Sequence, residues 1–248
     1  MRTGWNVAEV ISVKSETRQA RTLRLRLPGL TGHRAGQHVD VRLTAPDGYT
    51  AVRSYSVASA LPGDELDITV EELDDGEVSP YLVRQVAVGD QLEVRGPVGG
   101  WFVWDPSDAS PVQLIAGGSG VVPLMAMLRA HAADGTDAGY AAPFRLLYSV
   151  RGPDSVFYRA ELAELAASPL VEVTFIYTRT SPPGSSIPPR RLDAVTLATS
   201  VLPPTDNPAV FICGATAFVE TVADWLTQAG HSPARIKTER YGGTGTRP

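Results

Sequence analysis

Five stretches of this sequence combine residue types able to handle a phosphate, an aromatic ring or a proton. I-A-G-G-S-G-V-V-P-L (115–124) passes from an apolar run through Gly117-Gly118-Ser119-Gly120 into a helix-forming run. Glycines there permit a tight turn and let a diphosphate approach the N–H groups of a helix start. The other reading is a plain flexible strand–helix loop. The stretch departs from the dinucleotide fingerprint, since Pro123 stands where the third glycine is expected. The second-strand region, Y-S-V-R-G (148–152), also lacks the usual ribose-binding acid. R-S-Y-S (53–56) offers an Arg for a phosphate and a Tyr and Ser for a ring, although an ordinary surface hairpin fits equally. G-E-V-S-P-Y-L (76–82) is a glycine turn leading to Ser79 and Pro80, which read as an N-cap and a first-turn proline. It is a second phosphate candidate or simply a well-capped helix. F-I-C-G-A-T-A-F-V (211–219) ends an apolar strand in Cys213-Gly214. Cys213 is either a nucleophile or a small buried thiol, and no histidine near it in sequence supports the first. T-E-R-Y (238–241) sets Glu239 at the end of a terminal strand, at a ligand edge or in a surface salt bridge.

The elements that must carry these residues change rhythm part-way along the chain. In the first 105 residues, Leu23, Leu25 and Leu27 alternate with Arg24 and Arg26, and Val39, Val41 and Leu43 with Asp40 and Arg42. This is the period of half-buried strands. Further strands are predicted at 6–14, 52–58, 66–72 and 91–95, separated by turns such as Pro28-Gly29, Pro62-Gly63-Asp64 and Gly89-Asp90. About six short strands with one inserted helix predict an antiparallel barrel or sandwich. The Gly-, Pro- and aromatic-rich segment 96–110 is the expected boundary. After it, apolar strands at 112–116, 144–149, 171–178, 209–213 and 236–241 alternate with helices near 122–133, 155–167, 190–198 and 216–229. That alternation predicts a parallel sheet covered by helices, with ligands at the carboxyl ends of its strands. Gly230 is placed to terminate the last helix.

Composition narrows the chemistry. Among 248 residues, 22 Lys plus Arg face 27 Asp plus Glu, a net charge of −5. Such a surface argues against nonspecific nucleic-acid binding. The single cysteine excludes an internal disulfide, a Cys-rich zinc site and a four-cysteine iron–sulfur cluster. The four histidines (33, 38, 131 and 231) are scattered. No apolar run approaches the ~20 residues of a membrane span, and M-R-T-G-W-N-V-A-E-V has no apolar leader core. The expectation is a cytoplasmic protein whose redox chemistry, if any, is carried by an organic cofactor.

The order of the motifs is more specific than any one of them. R-S-Y-S, G-x-x-S, G-P-x-G (96–99), G-G-S-G-V-V-P, C-G-x-x-x-F-V and a terminal E-R-Y together resemble the ferredoxin–NADP reductase superfamily across essentially the whole chain. The likeness is strongest to reductase components of bacterial oxygenases and to stand-alone flavin reductases. It implies an FAD-binding antiparallel β-barrel (1–105) and an NAD(P)H-binding α/β domain (106–248) with a five-stranded parallel sheet. It further implies that Arg53 binds the flavin diphosphate, Tyr55 lies against the isoalloxazine and Ser56 approaches its N5 edge. Gly76, Val78 and Ser79 would hold the diphosphate. Gly118, Ser119, Gly120 and Pro123 would face the nicotinamide nucleotide, with Cys213, Gly214 and Glu239 beside the nicotinamide. Cys213 then becomes a ring neighbour and not a covalent nucleophile. The resemblance includes Tyr241 among the cofactor-binding residues, but plant-type members end in a flavin-stacking aromatic and here G-G-T-G-T-R-P follows Tyr241, so a shielding group must come from that tail or be absent.

The resemblance also places T-R-T (178–180) where NADPH-using members carry a Ser-Arg or Thr-Arg pair. Thr178 and Arg179, assisted by Arg151, would then hold the 2′-phosphate dianion and favour NADPH over NADH. Alternatively, Arg179 merely caps a loop. No C-x4-C-x2-C run is present, so the implied acceptor is a separate ferredoxin or an oxygenase with its own cluster. Other readings are a reductase of free flavin, an electron-transfer subunit docked in a larger complex, and a nucleotide sensor without turnover.

Overall fold

The computed structural model describes residues 4–60, 62–134 and 142–241. They fall into two compact units, Met1–Trp104 with Met125–Ala130, and Asp105–Leu124 with His131–Pro248.

The first unit is built on β1 (Asn6–Thr17), β2 (Ala20–Arg26), β3 (His38–Thr44), β4 (Thr50–Ser56), β5 (Glu65–Glu71) and β6 (Gln91–Val98). They form one antiparallel sheet in the order β4-β3-β6-β1-β2-β5. Its two edges meet, because Val57 bridges Ile68 just beyond β4 and the Ala58 N–H donates to the Asp67 carbonyl at 2.7 Å. The sheet thereby becomes a barrel and its edge groups are paired. The alternating residues read from the sequence fill its interior: Leu23, Leu25, Val39, Val41 and Ile68 are fully buried in one cluster.

Helix α1 (Ser79–Arg84) crosses one end of the barrel. Here the expected cap is corrected by one residue. Val78 occupies the N-cap position without a side-chain hydrogen bond, and Ser79 is the first helical residue. The Ser79 hydroxyl instead accepts the N–H of Leu73 at 3.1 Å, closing the loop before the helix.

The second unit holds β7 (Val112–Gly117), β8 (Phe144–Val150), β9 (Val171–Tyr177), β10 (Ala209–Ala215) and β11 (Ile236–Tyr241), all parallel, in the order β11-β10-β7-β8-β9. Between them run α2 (Val121–Asp134), α3 (Arg159–Leu165), α4 (Ala194–Ser200) and α5 (Thr216–Gln228). Two of these helices are shorter than the sequence predicts, for local reasons. Tyr158 is left-handed at φ 55, so α3 cannot begin before Arg159. The Asp193 carboxylate accepts the Thr196 N–H at 2.7 Å, which sets the start of α4. Gly230 does terminate α5, at φ +95 with its N–H bonded to the Thr227 carbonyl.

Parallel strands deliver every β–α connection to one edge of the sheet. The connections after the neighbouring strands β7 and β10 are packed backbone to backbone. A Cβ at Gly120 would lie 2.1 Å from the Cys213 carbonyl oxygen, and one at Gly117 or at Gly214 would lie 2.8 Å from the Phe218 ring. Glycine at 120 is therefore a packing requirement, set by the carbonyl of the next strand. Gly120→Ala should destabilise the fold by about 2–3 kcal/mol. Gly100→Ala, where no atom lies within 4 Å of the new methyl, should stay within roughly 0.5 kcal/mol of the parent. Urea unfolding of both variants checks the pair.

Candidate functional site

The residues singled out from the sequence gather into separate groups in the two units. In the first unit, β4 carries Arg53 and Tyr55 on its core-facing side, opposite Val41 and Val39 of β3. Tyr55 packs against the barrel core, and burial pushes its phenol up to about 12. It therefore remains a neutral ring with an O–H donor. Ser54, between them, points the other way and donates to Asp40 at 2.6 Å. Asp40 also accepts Arg95 Nε and Nη2 at 3.1 and 2.6 Å. Burial raises the Asp40 carboxyl, but Ser54 and Arg95 together outweigh it and hold the group below its usual range. This latch pins β4 to β3 and fixes which face Arg53 and Tyr55 occupy.

Arg53 is half exposed, and its Nη2 lies 2.5 Å from Glu77 Oε2. Glu77 lies in the Gly76–Ser79 turn, so R-S-Y-S and G-E-V-S do meet in space. Gly76 is needed there, since a Cβ would fall 2.6 Å from Ser79 Oγ. Val78 and Ser79 are buried.

In the second unit, Cys213 and Glu239 are register partners on β10 and β11. The 3₁₀ turn Gly118–Gly120 lies against the Cys213–Gly214 backbone, with Gly118 at φ +57. The hydroxyl of Tyr241 donates to the Gly117 carbonyl at 2.6 Å, and a Cβ at Gly118 would lie 3.0 Å from it. Tyr241 thus lies across the glycine turn. The tail 242–248 is outside the described residues. Pro123 is buried in the first turn of α2, where its missing N–H has no partner to lose.

Burial and the facing Glu239 push the Cys213 thiol well above its ordinary value, so it remains protonated and is not a thiolate nucleophile. Burial alone raises Glu239 to about 7. Its Oε2 is enclosed with no hydrogen-bond partner among the described residues.

The third group lies at the carboxyl ends of β8 and β9. The Arg179 and Thr180 N–H groups both donate to the Arg151 carbonyl, at 2.8 and 3.1 Å, which sets the two connections side by side. Gly152 admits this approach, because a Cβ there would lie 1.9 Å from Thr180 Oγ1. The Arg190 N–H returns to the Tyr177 carbonyl at 2.9 Å, which brings Arg191 to the same place. The result is a cleft of about 600 Å³ lined by Arg151, Thr178, Arg179, Arg191, Phe218 and Trp225, among others, and by no carboxylate. None of the three guanidinium groups makes an ion pair among the described residues. Arg191 escaped the sequence reading. Its signal, a two-arginine step ending the Pro-rich segment 181–189, gains meaning only once that segment folds back on β9. Phe218 links this cleft to the glycine turn by touching both.

These residues fit the groups that the sequence implies. Uncompensated arginines beside an aromatic wall suit an anionic nucleotide. A guanidinium beside a glycine turn and a neutral tyrosine ring suits a flavin with its phosphates. Two family models match accordingly: an oxidoreductase FAD-binding domain over residues 7–103 and an oxidoreductase NAD-binding domain over residues 114–224. A ferredoxin–NADP reductase B from Sorangium cellulosum is 33% identical over 216 residues, covering 84% of each chain.

The chain belongs to the ferredoxin–NADP reductase family.

A reductase component of naphthalene 1,2-dioxygenase/salicylate 5-hydroxylase systems from Ralstonia sp is 28% identical over 94% of this chain and 67% of its own. The FAD/NAD-binding domain of a Vibrio cholerae nitric oxide dioxygenase superposes with a TM-score of 0.83 at 25% identity, covering 96% of this chain and 99% of that one. Across five oxygenase-system relatives the chain spans 37% to 67% of the relative's length. Among the described residues no helix is long and apolar enough to cross a membrane.

The raised Glu239 carboxyl has a measurable consequence. Its folded value of about 7 lies above its ordinary 4.5, so the folded state holds a proton that the unfolded state has released. The associated stability is fully present below pH 4.5 and is lost as pH rises through 7. Glu239→Gln should therefore leave stability near pH 4 little changed. At pH 8 it should raise stability by about 3 kcal/mol relative to the parent. Urea unfolding at the two pH values measures the difference.

Proposed function

We propose that the protein is an FAD-dependent NADPH oxidoreductase that passes electrons through its flavin to a separate carrier, a ferredoxin or an oxygenase component. The observation that carries the coenzyme choice is the cleft with three arginines and no carboxylate at the carboxyl edge of the parallel sheet. NADH presents no charged group at its 2′ position, whereas NADPH presents a phosphate dianion. Three unneutralised guanidinium groups repel one another and gain most from the dianion. The named activities of the relatives in oxygenase and ferredoxin systems support the choice of acceptor.

In this reading residues 1–105 take the flavin and 106–248 the nicotinamide nucleotide. FAD, when bound, supplies the conversion of a two-electron hydride into single electrons. The chain's own residues position and neutralise. Arg53 answers the diphosphate charge, with Gly76, Val78 and Ser79 shaping the turn beside it. Tyr55 covers the ring and Ser56 bears on its reactive edge. Gly118, Ser119, Gly120 and Pro123 build the turn that faces the nicotinamide nucleotide. Gly214 lets that turn come close, and Tyr241 lies across it. The protonated Cys213 and the buried Glu239 line the nicotinamide end. Arg179, Arg151 and Arg191, with Thr178, take the adenosine phosphate. A cytoplasmic setting fits the single unpaired cysteine. A second reading, an NAD(P)H reductase that releases free reduced flavin, is favoured by one observation, the Glu77 carboxylate already on Arg53.

Anaerobic mixing with NADPH or NADH, followed by candidate ferredoxins, tests the whole reading. A stable flavin spectrum that neither coenzyme bleaches overturns it in favour of a sensor. Arg179→Ala should raise KM for NADPH roughly tenfold, the scale of one lost charge-assisted hydrogen bond. It should leave KM for NADH within about twofold. Arg191→Ala should shift the two coenzymes in the same unequal way. Equal effects on both would remove the arginines from coenzyme choice.

A further inference from the structure

We infer that Glu77 is a built-in competitor for the flavin diphosphate and sets how firmly this chain retains its flavin. The inference rests on the assignment of Arg53 to that diphosphate. The Arg53 guanidinium is the cation of the R-S-Y-S strand, and its Nη2 already sits 2.5 Å from Glu77 Oε2. Its Nη1 donates to the Val52 carbonyl at 2.8 Å, which anchors the head group. The other carboxylate oxygen of Glu77 accepts the Tyr49 hydroxyl at 2.8 Å. Glu77 is thus held from two sides, in the very turn that connects Gly76 to Val78.

The charge arithmetic runs against a bound diphosphate. Arg53 and Glu77 form a neutral pair, so an arriving diphosphate meets no net positive charge. It must either displace the carboxylate from the guanidinium or accept a like charge beside it. The side chains of both residues are about half exposed, at 50% and 47%, so neither is locked by packing and the exchange is open to solvent. Glu77 also lines, with Tyr49 and Tyr81, a cleft of about 480 Å³ on the same end of the barrel. The cation lining that cleft, Arg42, is held by both oxygens of Glu93 at 2.6 and 2.9 Å. Both cations here, Arg53 and Arg42, are therefore already neutralised by a carboxylate, unlike those of the arginine cleft in the other unit. A flavin held this way exchanges readily with free flavin. Removing the Glu77 charge converts it into a firmly held group.

The test is a flavin-binding titration of the full apoprotein, read by quenching of FAD fluorescence. Arg53→Ala is the control for the underlying assignment and should weaken FAD binding about tenfold or more. If it leaves binding unchanged, the assignment of Arg53 fails, whatever Glu77 does. Glu77→Gln keeps the side-chain shape and the Tyr49 contact, and Glu77→Ala removes both. Each should tighten the FAD Kd roughly tenfold and slow flavin release by a similar factor. Each should also make binding more sensitive to salt, since Arg53 then meets the diphosphate as a free charge. The unfolding midpoint without flavin should stay within a degree or two, as befits an exposed pair. Unchanged or weaker FAD binding by both variants, with Arg53→Ala still impaired, would overturn the inference. It would show that Glu77 orients Arg53 and does not compete for it.

Discussion

The close approach of the connection after β7 to the end of β10, at Gly120 and the Cys213 carbonyl, is the contact on which the arrangement of the second unit depends. Parallel strands 4.7–4.9 Å apart leave little room between successive connections. At the centre of the sheet that room is gone, because the space a Cβ would take at residue 120 is occupied by backbone. The consequences spread outward. The 3₁₀ turn is pressed against β10, so the glycine turn, Cys213 and its register partner Glu239 share one small region. The Phe218 ring fills the space that Cβ atoms on Gly117 and Gly214 would need. From there it also forms a wall of the arginine cleft. A single steric condition thus couples the enclosed Glu239 carboxyl to the wall of a separate cleft.

The arginine cleft of the second unit and the cations around β4 of the first differ in how their charge is met. Arg151, Arg179 and Arg191 converge with no carboxylate among the residues lining their cleft. Their mutual repulsion is a standing cost that an anionic ligand relieves. In the first unit Arg53 has Glu77, Arg95 has Asp40 and Arg42 has Glu93. Trp5 adds its ring face to Arg42 and Arg95, at 4.3 and 5.0 Å from their guanidinium carbons. Part of this is structural. The Asp40–Arg95–Ser54 latch works on the outer face of β4 and leaves the inner face to Arg53 and Tyr55. The Arg53–Glu77 pair lies on that inner side, where the carboxylate neutralises the guanidinium.

Much of this architecture was legible in the sequence because it depends on periodicity and punctuation. Alternating Leu23, Leu25 and Leu27, and Val39 and Val41, place a strand's inner face with no knowledge of its neighbours. Apolar runs separated by helical patterns place a parallel sheet. The eleven strands of the described residues match the sequence pattern to within a few residues. Errors arose where one residue's backbone or side chain overrode the pattern. Left-handed Tyr158 and the Asp193 cap shortened two helices, and Ser79 turned its hydroxyl back to Leu73 where it was expected to cap α1.

By itself, then, the sequence determined the two folds and the motifs at their edges. Each is written in short-range pattern, since strand period, helix period and glycine or proline turns depend on a few adjacent residues. Only the tertiary structure decided which charges meet. Arg191 joins Arg179 because the chain returns across the end of β9. Glu77 reaches Arg53 because α1 packs on β5 and β2 and the turn before it comes back to β4. Tyr241 covers Gly117 because the last strand lies two places from β7 in the sheet. Such encounters join side chains from 12 to more than 100 residues apart, which no local period encodes. They are set by strand order and by the few ångströms that a missing Cβ makes available.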